Sequence, residues 1–356
     1  SDSSADEAYQ KFIDACHAKG IKVVQDIVLN HTSNFGEENF FPLFEEDADG
    51  GYTGSSKSTT LVPNATLNAA ADRLAAAQGK TRDYILANQP YQARLEALKT
   101  VAGDPNWYYH HGSSTDYNQW SEQDGDIAGD CRDLNTENAA TAAYLEEAYD
   151  KWINMGVDAF RIDTTKHISR VTFNNYFIPH FKNTGGDNFF MFGECCNLYS
   201  SVWDNGIPVQ SSPFYTWKDS KTYPWSDLAS GYATNVQSTK DLWPDNKSTT
   251  GQPTSDNHYL SGNTYHTPDY SKRSGLGVID FCMHHNFGNA GSAYSVKQYD
   301  NTYNDATWNV VYVDSHDYGP NNDGGMGVRF NGSEATLAEN MTLMFTYRGI
   351  PTVYYG

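Results

Sequence analysis

Cysteine is scarce in this chain: five in 356 residues, Cys16, Cys131, Cys195, Cys196 and Cys282, an odd number with no CxxC spacing. That excludes a thiolate metal cluster of the zinc-ribbon kind and a disulfide framework as the source of stability. Basic residues are outnumbered, 24 Lys and Arg against 44 Asp and Glu, for a formal net charge of -20. So acidic a chain excludes nucleic acid and anionic membrane as its main partners and leaves a neutral ligand unopposed. The sequence has no apolar run of membrane-spanning length, no internal repeat and no low-complexity tail. It opens on no signal-peptide pattern, which leaves export undecided, because the chain reads as beginning partway through a domain. Aromatic side chains, in contrast, are abundant. There are 25 Tyr, 17 Phe and 8 Trp, many in polar, Gly- and Asn-rich surroundings that suit flat stacking surfaces for sugars; ordinary packing by amphipathic rings accounts equally well for any single one.

The stretch Gly156 to Ser169 organises the rest. Its first half is a short apolar run after a helical pattern, which reads as a strand buried in a parallel sheet. Charge follows at its carboxyl end. Arg161 and Asp163 are two apart and share a strand face, so the guanidinium keeps the carboxylate ionised, as an anionic nucleophile requires. Taken alone, a structural ion pair explains the same two residues. The layout recurs, however, in Val23–His31, Phe189–Glu194 and Asn309–Asp317. Four apolar strands that each deliver a carboxylate, imidazole or guanidinium at the carboxyl end match the way (β/α)8 barrels place their chemistry.

Along the chain, Ala8 to Lys19 has helical spacing after a polar lead-in at 1 to 6, and the strand Ile21 to Leu29 follows. The length from 34 to 128 exceeds a simple connection and reads as an inserted subdomain, with an Ala-rich helical stretch broken near Gly79. Trp107–Gly112 and Tyr117–Trp120 close it with aromatics. Ala139 to Met155 is an amphipathic helix, and Ile168 to Lys182 starts the next. From Asn197 to Ser274 periodicity dissolves into what reads as long loops over the active face. Strand character returns at Leu276–Cys282, Val310–Val313 and Pro351–Tyr355. The expected fold is α/β, a TIM-type barrel in part, with residues 1–33 and 129–356 as barrel and 34–128 as insertion.

Five segments, Asp26–His31, Asp133–Asn135, Gly156–His167, Phe192–Glu194 and Val313–Asp317, fall in the order of the signature regions of the α-amylase family, glycoside hydrolase family 13, and the closing Gly349–Gly356 resembles that family's last barrel strand. The resemblance implies that Asp163 is the nucleophile, Glu194 the general acid and base, and Asp317 the third carboxylate that orients the sugar. His31, Arg161 and His316 would complete the subsite for the reacting glucose. Lys166 and His167 resemble the pair that lines the leaving-group side in members acting on α-1,4 bonds. Physical reasoning agrees: a retaining glycosidase needs one ionised and one protonated carboxyl group, and Glu194, beside Phe192 and two cysteines, has the less polar company that raises a pKa.

The family likewise implies a structural Ca2+ held by Asn30, Asp133 and the backbone carbonyl of His167, a set of oxygen ligands from separate loops. The expected activity is endo-acting hydrolysis of α-1,4-glucosidic bonds in starch-like α-glucans, by a secreted or cell-surface monomer. The alternatives are a cyclodextrin glucanotransferase or other α-glucan transferase, and a catalytically inactive glucan-binding protein. In two respects the chain departs from the family. Ser315 stands where Asn is frequent, a change that still leaves a hydrogen-bonding side chain. The chain also resembles only strands 3 to 8 of the barrel, so it is expected to be a segment of a longer protein, unstable or inactive alone, since an open parallel sheet exposes unpaired edges.

Overall fold

The computed structural model describes residues 3–33, 45–46, 52–53, 64–89, 92–93, 96–97, 110, 123–127, 131–196, 212–219, 221–246, 268–320 and 329–355. Its strands in chain order are β1 (Val24–Val28), β2 (His31–Ser33), β3 (Glu45–Glu46), β4 (Tyr52–Thr53), β5 (Cys131–Asp133), β6 (Ala159–Asp163), β7 (Phe190–Gly193), β8 (Gly277–Val278), β9 (Val310–Val311) and β10 (Ile350–Pro351). Four of them form a parallel sheet ordered β1-β6-β7-β8, and β9 pairs in parallel with β10. A parallel bridge between Ile279 and Val310 joins the end of β8 to β9. Six strands thus lie side by side in chain order with their carboxyl ends on one side. Parallel neighbours need crossover connections, and helices provide them: Ser3–His17 precedes β1, Ala139–Asn154 precedes β6, Ile178–Gly185 precedes β7, Tyr232–Asn246 precedes β8 and Glu334–Thr346 precedes β10.

Alternation along β6 divides its side chains between two environments. Phe160 and Ile162 are fully buried. Phe160 meets Phe181 and Phe189 edge-on, with ring centroids 5.2 and 4.9 Å apart. Withdrawing one such ring from water contributes about 2–3 kcal/mol, which is what holds the strand against its helices. Arg161 and Asp163 belong to the other face, which they share with the in-register neighbours Asp26 on β1 and Phe192 on β7. Phe190 and Phe192 stack on that face at 5.6 Å.

Three segments differ from the sequence expectation. The first helix begins at Ser3, inside the supposed polar lead-in. Strand pairing at 276–282 ends with the bridge at Ile279, because Asp280 accepts a hydrogen bond from the Met283 N–H at 2.9 Å and caps the helix Phe281–His285. The supposed loop region 197–274 contains the 15-residue helix Tyr232–Asn246. Its buried positions include Asn235, Ser238 and Thr239, so no apolar stripe marked it. The break in the Ala-rich stretch falls where expected, at Gly79 with φ +64°, between the helices Asn64–Gln78 and Arg82–Asn88. Apart from His110, the aromatic segments Trp107–Gly112 and Tyr117–Trp120 lie outside the described residues. Among the described residues no helix is long and apolar enough to cross a membrane.

Candidate active site

At the carboxyl ends of β1, β6 and β7 one guanidinium gathers three carboxylates. Arg161, itself only 11% exposed, places Nη1 2.5 Å from Asp163 Oδ1 and 3.0 Å from Asp26 Oδ1, and Nη2 3.2 Å from Glu194 Oε2. The first contact is the same-face pair expected from the spacing of Arg161 and Asp163. Glu194 also accepts from the Thr164 N–H at 3.2 Å. Thr164 reaches that position through a left-handed backbone turn, φ 49° and ψ 33°, the one non-glycine with positive φ among the described residues. Such a conformation costs of order 1 kcal/mol or more and persists where surrounding structure imposes it. Here the 2.9 Å bond from Thr165 N–H to the Glu194 carbonyl and the 2.8 Å bond from Glu194 N–H to the Ile162 carbonyl lock the turn onto the end of β7.

Burial pushes the Glu194 carboxyl up to about 7; Arg161 opposes the shift, and the hydrogen-bonded Asp163 carboxylate reinforces it. The arrangement therefore holds one carboxyl group that keeps a proton near neutrality beside another in contact with a cation. Cys195 is buried, and burial raises the half-buried Cys196 thiol to about 11, so Cys196 packs the site as a neutral group.

The loop after β9 supplies the facing wall. Asp314, Ser315, His316 and Asp317 line a cavity of about 430 Å3 with Asp26, Arg161, Glu194 and the tyrosines Tyr312 and Tyr354. Ser315 builds the turn that presents the other two. Its Oγ accepts from the N–H groups of Asp317 and Tyr318 at 3.2 and 3.0 Å, which is the role expected of a hydrogen-bonding side chain at this position. His316 Nε2 contacts Asp317 Oδ2 at 2.9 Å. Arg329 donates to the His316 carbonyl at 3.2 Å and to the Tyr354 hydroxyl at 3.3 Å, tying the loop to the segment after β10.

Not every expected residue joins this wall. Asp163 is reached through Arg161 and Glu194, and its carboxylate lies outside the lining of the cavity, as do His31, Lys166 and His167. His31 Nδ1 lies 3.2 Å from Asn30 Oδ1. Lys166 and His167 form a short turn after β6, where the carbonyl of Lys166 accepts from Gln123 Nε2 at 3.1 Å. Sequence reasoning did not assign Asp26 or Thr164 a part in the centre. Asp26 carried a signal, since it opens the first signature segment and faces Arg161 across β1 and β6.

Asn30, Asp133 and His167 do come together. Asn30 Nδ2 lies 2.8 Å from Asp133 Oδ1 and 3.2 Å from the His167 carbonyl. An amide turned by half a revolution exchanges oxygen for nitrogen, and three oxygens would then converge, the donor set that suits a hard cation. The residues fit a calcium ion in that sense. No cluster of three or more His, Cys, Asp or Glu able to hold a metal exists among the described residues. Beside them the buried His110 contacts Asp133 Oδ2 at 2.5 Å and Glu137 Oε2 at 3.0 Å. Burial opposes its charge, yet Glu137 and Asp133 outweigh that and hold its pKa well above the usual imidazole range.

Fold and site together define a parallel α/β protein with a carboxylate–guanidinium centre at the carboxyl ends of its strands. The description "Alpha amylase, catalytic domain" matches residues 4–193, more than half of the chain. The chain belongs to the α-amylase family, and its strand–helix alternation is that of the family's (β/α)8 barrel. It is 31% identical over 162 residues to a cyclomaltodextrin glucanotransferase of Geobacillus stearothermophilus, a match covering 45% of this chain and 16% of that protein. Similarity to an α-amylase of Streptomyces lividans is 26% over 268 residues, covering 65% and 25%. A solved cyclomaltodextrin glucanotransferase with a three-domain ABC distribution superposes with a TM-score of 0.53 at 20% identity, over 99% of this chain and 51% of its own. The chain thus spans well under half the length of the curated relatives it matches and about half of the solved one.

Proposed function

We propose that the chain carries the catalytic centre of a retaining, endo-acting hydrolase of α-1,4-glucosidic bonds in starch-like α-glucans. The observation that carries the proposal is the single guanidinium of Arg161 in contact with both Asp163 and Glu194, with the second carboxyl raised to about 7. Two carboxyl groups held by one guanidinium suit the narrow separation of a retaining pair rather than the gap an inverting pair leaves for water. In the proposed cycle Asp163 attacks the anomeric carbon while Glu194 gives its proton to the departing glycosidic oxygen. Glu194, now ionised, takes a proton from the incoming water, and the bond to Asp163 breaks with retention. Asp317 and His316, on the cavity wall, hold the sugar hydroxyls; His31, Lys166 and His167, which lie beyond that wall, are proposed to border the adjoining subsites.

A second reading replaces water by a glucan acceptor, and similarity to cyclomaltodextrin glucanotransferases favours it. The chain is proposed as strands 3 to 8 of the barrel with the insertion at 34–128, part of a secreted or cell-surface, monomeric protein. The first experiment therefore uses the full-length parent on soluble starch beside Asp163→Asn, with products resolved by chromatography. Linear oligosaccharides, reduced by about four or more orders of magnitude in the variant as loss of a covalent nucleophile requires, are the expected result. Cyclic products would transfer the assignment to glycosyl transfer. Tight binding of starch without turnover would make the protein a glucan binder.

Asn30, Asp133 and the His167 carbonyl are proposed to bind Ca2+, which would fasten the loops after β1 and β6 to the strand β5 by charge. Calcium titration followed by calorimetry should show binding, and a rise in melting temperature, that Asp133→Asn removes. Equal binding by the variant would refute the assignment.

A further inference from the structure

Asp26 has no part in the proposed chemistry, yet it lines the cavity with Glu194 and Asp317. Its register partner on β6 is Arg161. Nη1 of Arg161 is divided between Asp26 Oδ1 at 3.0 Å and Asp163 Oδ1 at 2.5 Å, while Nη2 serves Glu194. The Asp26 carboxylate is 57% exposed, so the pair adds little to stability. Its influence falls instead on the charge at the centre of the site. One cation serves three anions, and each anion weakens the hold of the guanidinium on the other two.

We infer that Asp26 is a positioning residue of this centre: it spreads the Arg161 guanidinium across Asp163 and Glu194 and takes up part of its charge, so that Glu194 retains the proton it donates. The inference deepens the hydrolase reading and rests on it for the use of that proton. Without Asp26, Arg161 would act more strongly on Glu194 and favour its ionised form. The other charged or titratable groups facing Glu194 are Arg161 and Asp163 on β6, Cys196 after β7, and Tyr312 and Tyr318 near β9. Asp26 itself faces Arg161, Asp163 and His316. Burial raises Cys196, Tyr312 and Tyr318, so none of the three supplies a negative charge that would replace that of Asp26 below pH 9.

The test is a carboxyl 13C NMR titration of the full-length parent labelled at glutamate, with the Glu194 resonance assigned by its loss in Glu194→Gln. In Asp26→Asn, which keeps an oxygen acceptor for Arg161 but no charge, the Glu194 midpoint should fall by about half to one pH unit. Asp26→Glu, which restores the charge, should bring it back to within about 0.2 unit of the parent. Asp26→Ser provides a second neutral variant at this exposed position. The basic limb of the kcat/KM profile on soluble starch should move with the NMR midpoint. Unchanged midpoints in both neutral variants, or an equal shift in Asp26→Glu, would overturn the inference. A parent that turns over no α-glucan would overturn the hydrolase reading, while the NMR titration still decides the role of Asp26.

Discussion

Glu194 is held in a place that opposes its own charge. Burial raises its folded-state pKa to about 7 from an ordinary value near 4.5, against the pull of Arg161. A carboxyl group raised on folding contributes its full share of stability below its unfolded pKa and loses it as pH rises toward the folded one. The cost should therefore appear between pH 4.5 and 7 and stay constant above, on the order of 3 kcal/mol. Glu194→Gln removes that cost along with the proposed proton donor. Thermal melts of the parent and this variant should coincide at pH 4 and separate by pH 8, with the variant melting higher. A difference that did not vary with pH would show that Glu194 is not the buried proton carrier described here. The burial of Glu194 was partly legible beforehand, because Phe192 and two cysteines flank it. The threefold contact of Arg161 was not, since Asp26 and Glu194 lie 168 positions apart in the chain.

The junction of β6 and β7 is the element on which that geometry depends. Gly193 ends β7, and a Cβ built there would collide with the Oγ1, Cγ2 and Cβ of Thr165, which is fully buried. Thr165 has little room to yield, because its Oγ1 donates to the Ile162 carbonyl at 2.9 Å. Gly193→Ala should therefore push the turn at Thr164 away from Glu194. The expected outcome is a loss of about 1–3 kcal/mol in a urea melt and a fall in kcat well beyond what the stability change explains. Full kcat in a destabilised variant would show that the turn does not position Glu194. At this scale legibility followed periodicity. Ala139–Asn154, with Leu145 and Ile153 on its buried side, was visible as an amphipathic helix. Tyr232–Asn246 was not, because Asn235 enters the interior through bonds to the Glu137 and Ser226 carbonyls at 2.8 and 2.9 Å rather than by hydrophobicity.

Across the whole molecule, the later strands are joined by a buried ionic knot away from the carboxylates gathered by Arg161. Arg348, between the last helix and β10, pairs through Nη1 with Asp280 and at 2.9 Å through Nε with Asp300 Oδ1; all three side chains are 1% exposed or less. Asn309 adds a bond to Asp280 at 3.1 Å just before β9. Removing one partner of such a network leaves uncompensated buried charge. Arg348→Met should lower the unfolding free energy by about 3–5 kcal/mol, more at pH 8 than at pH 5, where Asp300, pushed up to about 7 by burial, can take up a proton. A loss below about 1 kcal/mol at pH 8 would mean that water already reaches the knot.

The local pattern of residues was enough to establish the alternation of helices and parallel strands and the family, and to single out Asp163, Glu194 and Asp317 as candidates, because strand periodicity, helix amphipathicity and short motifs are properties of neighbouring positions. Tertiary structure alone decided that one guanidinium serves Asp26, Asp163 and Glu194 together, that His31, Lys166 and His167 stand outside the cavity wall, and that Asn30, Asp133 and the His167 carbonyl converge. Electrostatic coupling and metal-ligand geometry depend on distances of a few ångströms between residues far apart in the chain, and such distances exist only once the strands have been laid side by side.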